Sequence, residues 1–400
     1  MNTLRPLGAA ERVFHYYNLA NPCAFSFTLH LDTPISEAGL RNAVAGLQRS
    51  HPLLRATVSQ NETGEPIWVS TTDPVPVRSA PGAELNDVLA DEQTRVFTLG
   101  PEPLWRLVLL DRAPGDFGDA ASSIVVTFDH HITDGMGGIQ VLGDLVRVLS
   151  GQDRPERAIP EAQERLVPEL MTATAQPEAE LDPRMTAVGR MRPFDGARPS
   201  VDTTVPSREQ TARLIAAARA HGVTVQSVLA ASATIALAHA GRPYIRIVHP
   251  TDLRRRLKLD DEVALRLLLP PQRTGTPADT AGDVWTIAAD VKAHLLTDRD
   301  LETVGDRVRA LESVTPSNPE EATAGMLAIS SMDMMISNTG VVRFPEDTEV
   351  RCVGLTALSM TVQIAGEVIL GAATFDGRLS LTLTTREDLP GLLEEIVGRL

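Results

Sequence analysis

The chain has 400 residues, a hydrophobic fraction of 43% and a formal net charge of −15. That length exceeds one ordinary core and predicts two domains of roughly 150 to 200 residues; the acidic balance argues against nucleic acid, whose phosphates need a basic face. No stretch approaches the roughly 20 uninterrupted apolar residues of a membrane span, no charged-then-apolar leader opens the chain, and Cys23 and Cys352 match no metal spacing, so a reduced cytoplasmic protein without a metal site is expected.

In chain order, Ala24 to Leu31 alternates with period two and predicts a strand. Ser36 caps a helix that carries Leu40, Val44 and Leu47 on one side and ends near Ser50. His51 to Val58 turns and re-enters as a strand, and Asn61 to Pro66 breaks the chain before Ile67-Trp68-Val69. A helical run from Glu84 to Phe97 leads to a strand at Leu104 to Leu110. Ser123 to Phe128 is β-branched and aromatic and predicts a buried strand. Gly135, Gly137 and Gly138 then loosen the chain before Ile139, Leu142, Leu145, Val146 and Leu149 recur at helical spacing up to Gly151.

Eight prolines between Pro155 and Pro206, with weak periodicity, mark residues 154–206 as a linker or covering segment. It divides an N-terminal domain, 1–153, from a C-terminal one, 207–400. The latter opens with a helix from Ser207 through Ala220 and a second, Thr224-capped and apolar nearly all round, from Val225 to Ala240. Strands at Tyr244–His249 and Ala264–Leu269, a helix from Asp279 to Leu296, strands at Ile364–Ala373 and Leu379–Thr385 and a final helix from Leu389 to Leu400 complete the reading. The two halves are expected to be α/β units with mixed sheets and flanking helices.

The chemistry-bearing segment is His130-His131-Ile132-Thr133-Asp134-Gly135, at the junction of a strand and a helix. A histidine whose ordinary pKa is about 6.5 can serve as a general base. His130, with a three-residue gap to Asp134, suits that role better than His131. No serine or cysteine sits in a nucleophile elbow nearby, so direct transfer is the simpler chemistry. Asp134 either orients the histidine or turns away to pair with an arginine and fix the loop; the second is favoured for an Asp before Gly. The amide of Gly135 is a candidate oxyanion donor. The alternative is that the paired histidines are structural, as His249 and His294 are expected to be. The methionines at 326, 332, 334 and 335 read as core first and as channel lining second. Arg255, Arg256 and Lys258 form the densest basic stretch, a solvated turn or a docking patch for an acidic carrier or a coenzyme A phosphate.

These residues resemble the HHxxxDG motif shared by chloramphenicol acetyltransferase, nonribosomal peptide condensation domains and polyketide-associated acyltransferases of the phthiocerol/phthiodiolone dimycocerosyl transferase type. The last group is the nearest by length and by the opening Arg5-Pro6-Leu7-Gly8-Ala9-Ala10-Glu11. Ser50 to Arg55, Gly222 to Val225, Thr251 to Arg254 and Ser337-Asn338-Thr339-Gly340 are similar to further landmarks, in order along most of the chain. The resemblance implies two chloramphenicol-acetyltransferase-like domains forming a V with a central channel. It implies His130 as base, Asp134 paired with Arg254, and Ser337 and Asn338, in a turn, beside the channel together with His131. It further implies acyl transfer from a thioester, either acyl-coenzyme A or acyl-phosphopantetheine on an acyl carrier protein, with no resident cofactor. The acceptor is a hydroxyl, giving an ester in polyketide, lipid or other secondary metabolism. An amine acceptor, as in peptide condensation, and a non-catalytic docking module are the alternatives. A monomer is expected. One departure stands out: Asp129 occupies the motif's first histidine position, and an acid there is expected to raise the pKa of His130.

Overall fold

The computed structural model describes residues 2–100, 102–111, 115–166, 182–252, 254, 271–280, 282–297 and 315–400. The predicted strand at Ala264–Leu269 and the basic residues Arg255, Arg256 and Lys258 lie outside them. Two large mixed sheets carry the fold. The first runs β12 (Cys352–Met360), β2 (Ala24–Leu31), β7 (Ser122–Asp129), β6 (Trp105–Leu110), β5 (Val77–Ser79). The second runs β10 (Gln272–Pro277), β9 (Tyr244–His249), β11 (Met334–Val342), β13 (Val368–Phe375), β14 (Arg378–Thr385), β8 (Ser200–Thr204). A small three-stranded sheet of β1 (Thr3–Pro6), β4 (Pro66–Ser70) and β3 (Ala56–Gln60) flanks the first.

On one face of the first sheet, Phe25, Phe27, Leu29 and Leu31 of β2 pack with Val126 and Phe128 of β7. That core takes in α1 (Ala9–Asn18), α2 (Glu37–Ser50) and α4 (Gly135–Leu149). Each large apolar side chain buried there contributes about 1.5–3 kcal/mol. Alternation commonly accompanies one solvated face, yet all eight residues of β2 are buried. Two of its polar residues are bonded internally: Ser26 bonds Thr127, and His30 bonds Ser123 and Thr356, each at 2.8 Å. The second core gathers on α8 (Val225–His239), whose Val228 to Leu237 stretch is almost wholly buried, with α9 (Val284–Thr297) and α11 (Leu392–Val397) beside it.

The sheets do not follow the division read from the sequence. β12 lies within 207–400 but pairs antiparallel with β2 of the first half, Met360 opposite Phe25 and Leu355 opposite Leu29. Residues 154–206 are more than a linker, because β8 pairs with β14 as an edge strand of the second sheet. Where β12 passes over β13, a Cβ on Gly371 would stand 2.0 Å from the carbonyl oxygen of Leu358, so only glycine permits the approach. Among the described residues no single helix is long and apolar enough to cross a membrane.

Candidate active site

The motif strand is fixed from three sides. Phe128 stacks on Trp105 at 6.1 Å between ring centroids, and Trp105 Nε1 donates to the Leu54 carbonyl at 2.8 Å. Asp144 on α4 is held at 2.8 Å by both His51 Nε2 and Arg157 Nη2, which ties the motif helix to the end of α2 and to the segment after α4. The glycines after Asp134 do not loosen the chain. They form the first turn of α4, and Asp134 caps it by accepting from the Gly137 amide at 2.8 Å.

Between the two halves lies a cavity of about 760 Å³. His130, Asp134, Gly135 and Met136 line it from the motif, Phe14, Cys23 and Phe25 from the rest of the first half. Thr251, Asp252 and Arg254, then Met326 and Ser330, then Met335 and Ser337 to Val341 on β11, and Leu358, Met360 and Val362 line it from the second half. Met326 and Met335 therefore face the cavity, whereas Met334 belongs to the second core and Met332 to the first. Met326 sits on α10 (Pro319–Ser330), a helix the sequence reading missed, as it missed β10 and β12.

His130 is half-buried, with Nδ1 enclosed and the residue in the cavity wall. Its ring stacks on Phe14 at 4.5 Å with an interplanar angle of 22°, and meets Phe25 edge-on at 5.0 Å. Its amide donates to the Cys23 carbonyl at 3.0 Å. Asp134 turns to Arg254, whose Nη2 lies 2.8 Å from both carboxylate oxygens, and Arg254 Nη1 reaches Asp252 Oδ1 at 2.8 Å. Burial opposes the charge on Arg254, but the two aspartates outweigh it and raise its pKa above the ordinary arginine range. This pair bridges the halves beside the histidine.

Ser337 and Asn338 line the cavity, but from within strand β11 and not from a turn. The strand is irregular there: Gly340 has φ +71°, pairing with β13 shifts register between Asn338 and Val341, and Asn338 Oδ1 accepts the Gly340 amide at 2.8 Å. His131 does not belong to the channel. Its ring is fully buried in the first half, with Nδ1 2.6 Å from Asp129 Oδ1 and edge contacts to His15 and Trp68. The Asp129 carboxylate, expected to act on His130, is engaged by His131 and by Asn18. His249 is buried between Thr274 and Gln226, as a structural histidine should be. Cys23 in the cavity wall was not anticipated, since nothing in its spacing links it to the motif.

Residues 195–384 match the family described as the C-terminus of phthiocerol/phthiodiolone dimycocerosyl transferase. No curated protein matches the sequence. Among solved structures, polyketide synthase associated protein 5 from Mycobacterium tuberculosis is similar over 99% of this chain and 96% of its own, with a TM-score of 0.67 and 19% identity. A trichothecene 15-O-acetyltransferase from Fusarium sporotrichioides gives 0.65 and 14%, over 99% and 94% of the two chains. A wax ester synthase/diacylglycerol acyltransferase from Marinobacter aquaeolei VT8 gives 0.63 and 12%, over 100% and 98%.

Proposed function

We propose that this chain, which shares its fold with polyketide synthase associated protein 5 and with a peptide-synthetase condensation domain, is an acyltransferase that moves an acyl group from a thioester to a hydroxyl and forms an ester, with His130 as general base. The observation that carries this reading is His130 in the wall of a cavity shared by both halves, its flanking carboxylate committed to Arg254. The similar structures named as an O-acetyltransferase and a wax ester synthase support an oxygen acceptor. An open cavity that reaches His130 speaks against a purely structural docking module.

In this mechanism His130 Nε2 takes the proton of the hydroxyl as its oxygen attacks the thioester carbonyl. The neutral ring must then carry its own proton on Nδ1. The first turn of α4 presents the Gly135 amide and the positive end of a helix to the developing oxyanion. Collapse of the tetrahedral intermediate breaks the carbon–sulfur bond, and the imidazolium returns the proton to the departing thiolate. The soft wall of Met136, Met326, Met335 and Met360 suits an apolar acyl chain. Arg255, Arg256 and Lys258, directly after the bridging arginine, are assigned to the phosphate of coenzyme A or to an acidic carrier protein. Unchanged turnover of a carrier-bound donor after reversal of those three charges removes that part.

The test is turnover of acyl-coenzyme A with a panel of matched alcohols and amines, parent against His130→Ala. Ester formation that falls by roughly 10²–10⁴-fold in the variant is expected. Amide in place of ester reassigns the acceptor, and no thiol release with any donor overturns the reading.

A further inference from the structure

We infer that Asp129, Asn18 and His131 form a positioning unit for His130. The inference rests on His130 being the base. Three donors meet one carboxylate oxygen. Asp129 Oδ1 accepts the backbone N–H of His131 at 2.9 Å, the ring Nδ1 of His131 at 2.6 Å and Nδ2 of Asn18 at 2.7 Å. Asp129 is buried and so is the His131 ring.

Each bond acts on a different part of the His130 environment. The bond to the His131 amide spans His130 itself, closing an Asx-type turn. The Ile132 amide, donating to the Asp129 carbonyl at 3.3 Å, closes the same turn from the main chain. His130 is thus held from both neighbours. Asn18 is the last residue of α1, and Phe14 lies one helical turn earlier on the same face. Tying Asn18 to the end of β7 therefore fixes where Phe14 stands, and Phe14 is the ring stacked on His130. His131, packed edge-on against His15 and Trp68, supplies a buried anchor that cannot swing into the cavity.

The residue exchange is chemically consistent. A neutral imidazole at position 129 would offer one acceptor nitrogen, whereas the charged Oδ1 of a carboxylate can be shared among all three donors in three-centre bonds. The imidazole has in effect moved two positions along the chain, to 131, where it donates to the acid that replaced it.

The test uses the full chain with carbon-13 at histidine Cε1. The His130 signal is identified by its loss in His130→Gln and carries the ring-current shift of Phe14. Asp129→Ala is expected to move that signal toward the ordinary histidine position and to lower kcat on the order of 10²-fold, with KM held within about twofold. Asp129→Asn, which keeps an acceptor oxygen, is expected to retain the signal and most of kcat. Should Asp129→Ala fail to fold, Asn18→Ala reads the same displacement of Phe14 from the helix side. A His130 signal unmoved in the alanine variant overturns the inference whatever the rate. The spectrum needs no substrate, so a chain that transfers no acyl group still tests positioning, and the two readings fail separately.

Discussion

The strand ends at His130 and His249 are built alike and used differently. In both, an interior strand delivers a histidine at its C-terminal end and an aspartate follows within four residues, Asp134 in one case and Asp252 in the other. Both aspartates converge on Arg254. Yet His249 is turned into the protein, Nε2 2.9 Å from Thr274 and Nδ1 3.0 Å from Gln226, and burial pushes its pKa down to about 3. His130 instead lies against Phe14 and Phe25 in the cavity wall. A strand-end histidine followed by an acid is therefore not a site in itself; the side of the sheet on which the ring leaves decides.

The largest expected effect breaks what the two ends share. Arg254→Ala removes a buried guanidinium that joins the half-buried Asp134 to the exposed Asp252, and a loss of about 3 kcal/mol is expected in denaturant unfolding. Arg254→Lys keeps the charge without the planar fork and should recover only part of it. A variant as stable as the parent would mean that the bridge between the halves is incidental.

The next sharpens the contrast between the histidines. His249→Leu removes both buried hydrogen bonds and should cost about 1–3 kcal/mol, while turnover per folded molecule stays at the parent level. Turnover falling as far as in His130→Ala would make the second histidine a participant and undo the contrast.

How much of this was legible in the sequence depends on whether the deciding partner was local. β2 and β9 have the predicted bounds, and the caps at Ser36 and Thr224 form as their residue types demand. Those signals lie within a few residues of one another. The exchange of β12 into the first sheet, the burial of His131 and the edge strand β8 did not show. Alternation tells which residues share a face, not what covers that face, and β8 takes its partner from nearly two hundred residues away. Arg254 was reachable only through resemblance, since no spacing rule links it to Asp134 across 120 positions. The glycines of the motif misled by composition: a cap from Asp134 makes a helix start out of residues that otherwise disfavour one.

A smaller effect lies in pH. Burial lowers His249 and His30 to about 3 and, with the charge of His131 adding, His15 to about 4. Their ordinary value is 6.5, so between these limits the unfolded chain binds more protons than the folded one. Their contribution is full above about pH 6.5 and is lost as pH falls toward 4 and 3. Burial raises Glu367 to about 7 against 4.5, which acts the other way, its share declining as pH climbs from 4.5 to 7. Denaturation midpoints across pH 4–7.5 should rise less steeply in His249→Gln than in the parent, and more steeply in Glu367→Gln. Parallel curves for all three would show that these groups titrate normally.

The smallest effect concerns Cys23, whose carbonyl accepts from the His130 amide and whose residue lines the cavity. Direct transfer needs no thiol, so Cys23→Ser should change turnover by no more than about twofold. A collapse of activity, with acylated parent enzyme seen by intact-mass measurement, would replace direct transfer by a covalent route.

The base itself is tested most directly by chemical rescue. His130→Gly, assayed with acyl-coenzyme A and an accepted alcohol, is predicted to be nearly inactive alone and to regain ester formation in proportion to added imidazole, with methyl- and halo-imidazoles ranked by basicity. Ester formation by His130→Gly at the parent rate, with no imidazole present, would contradict the account.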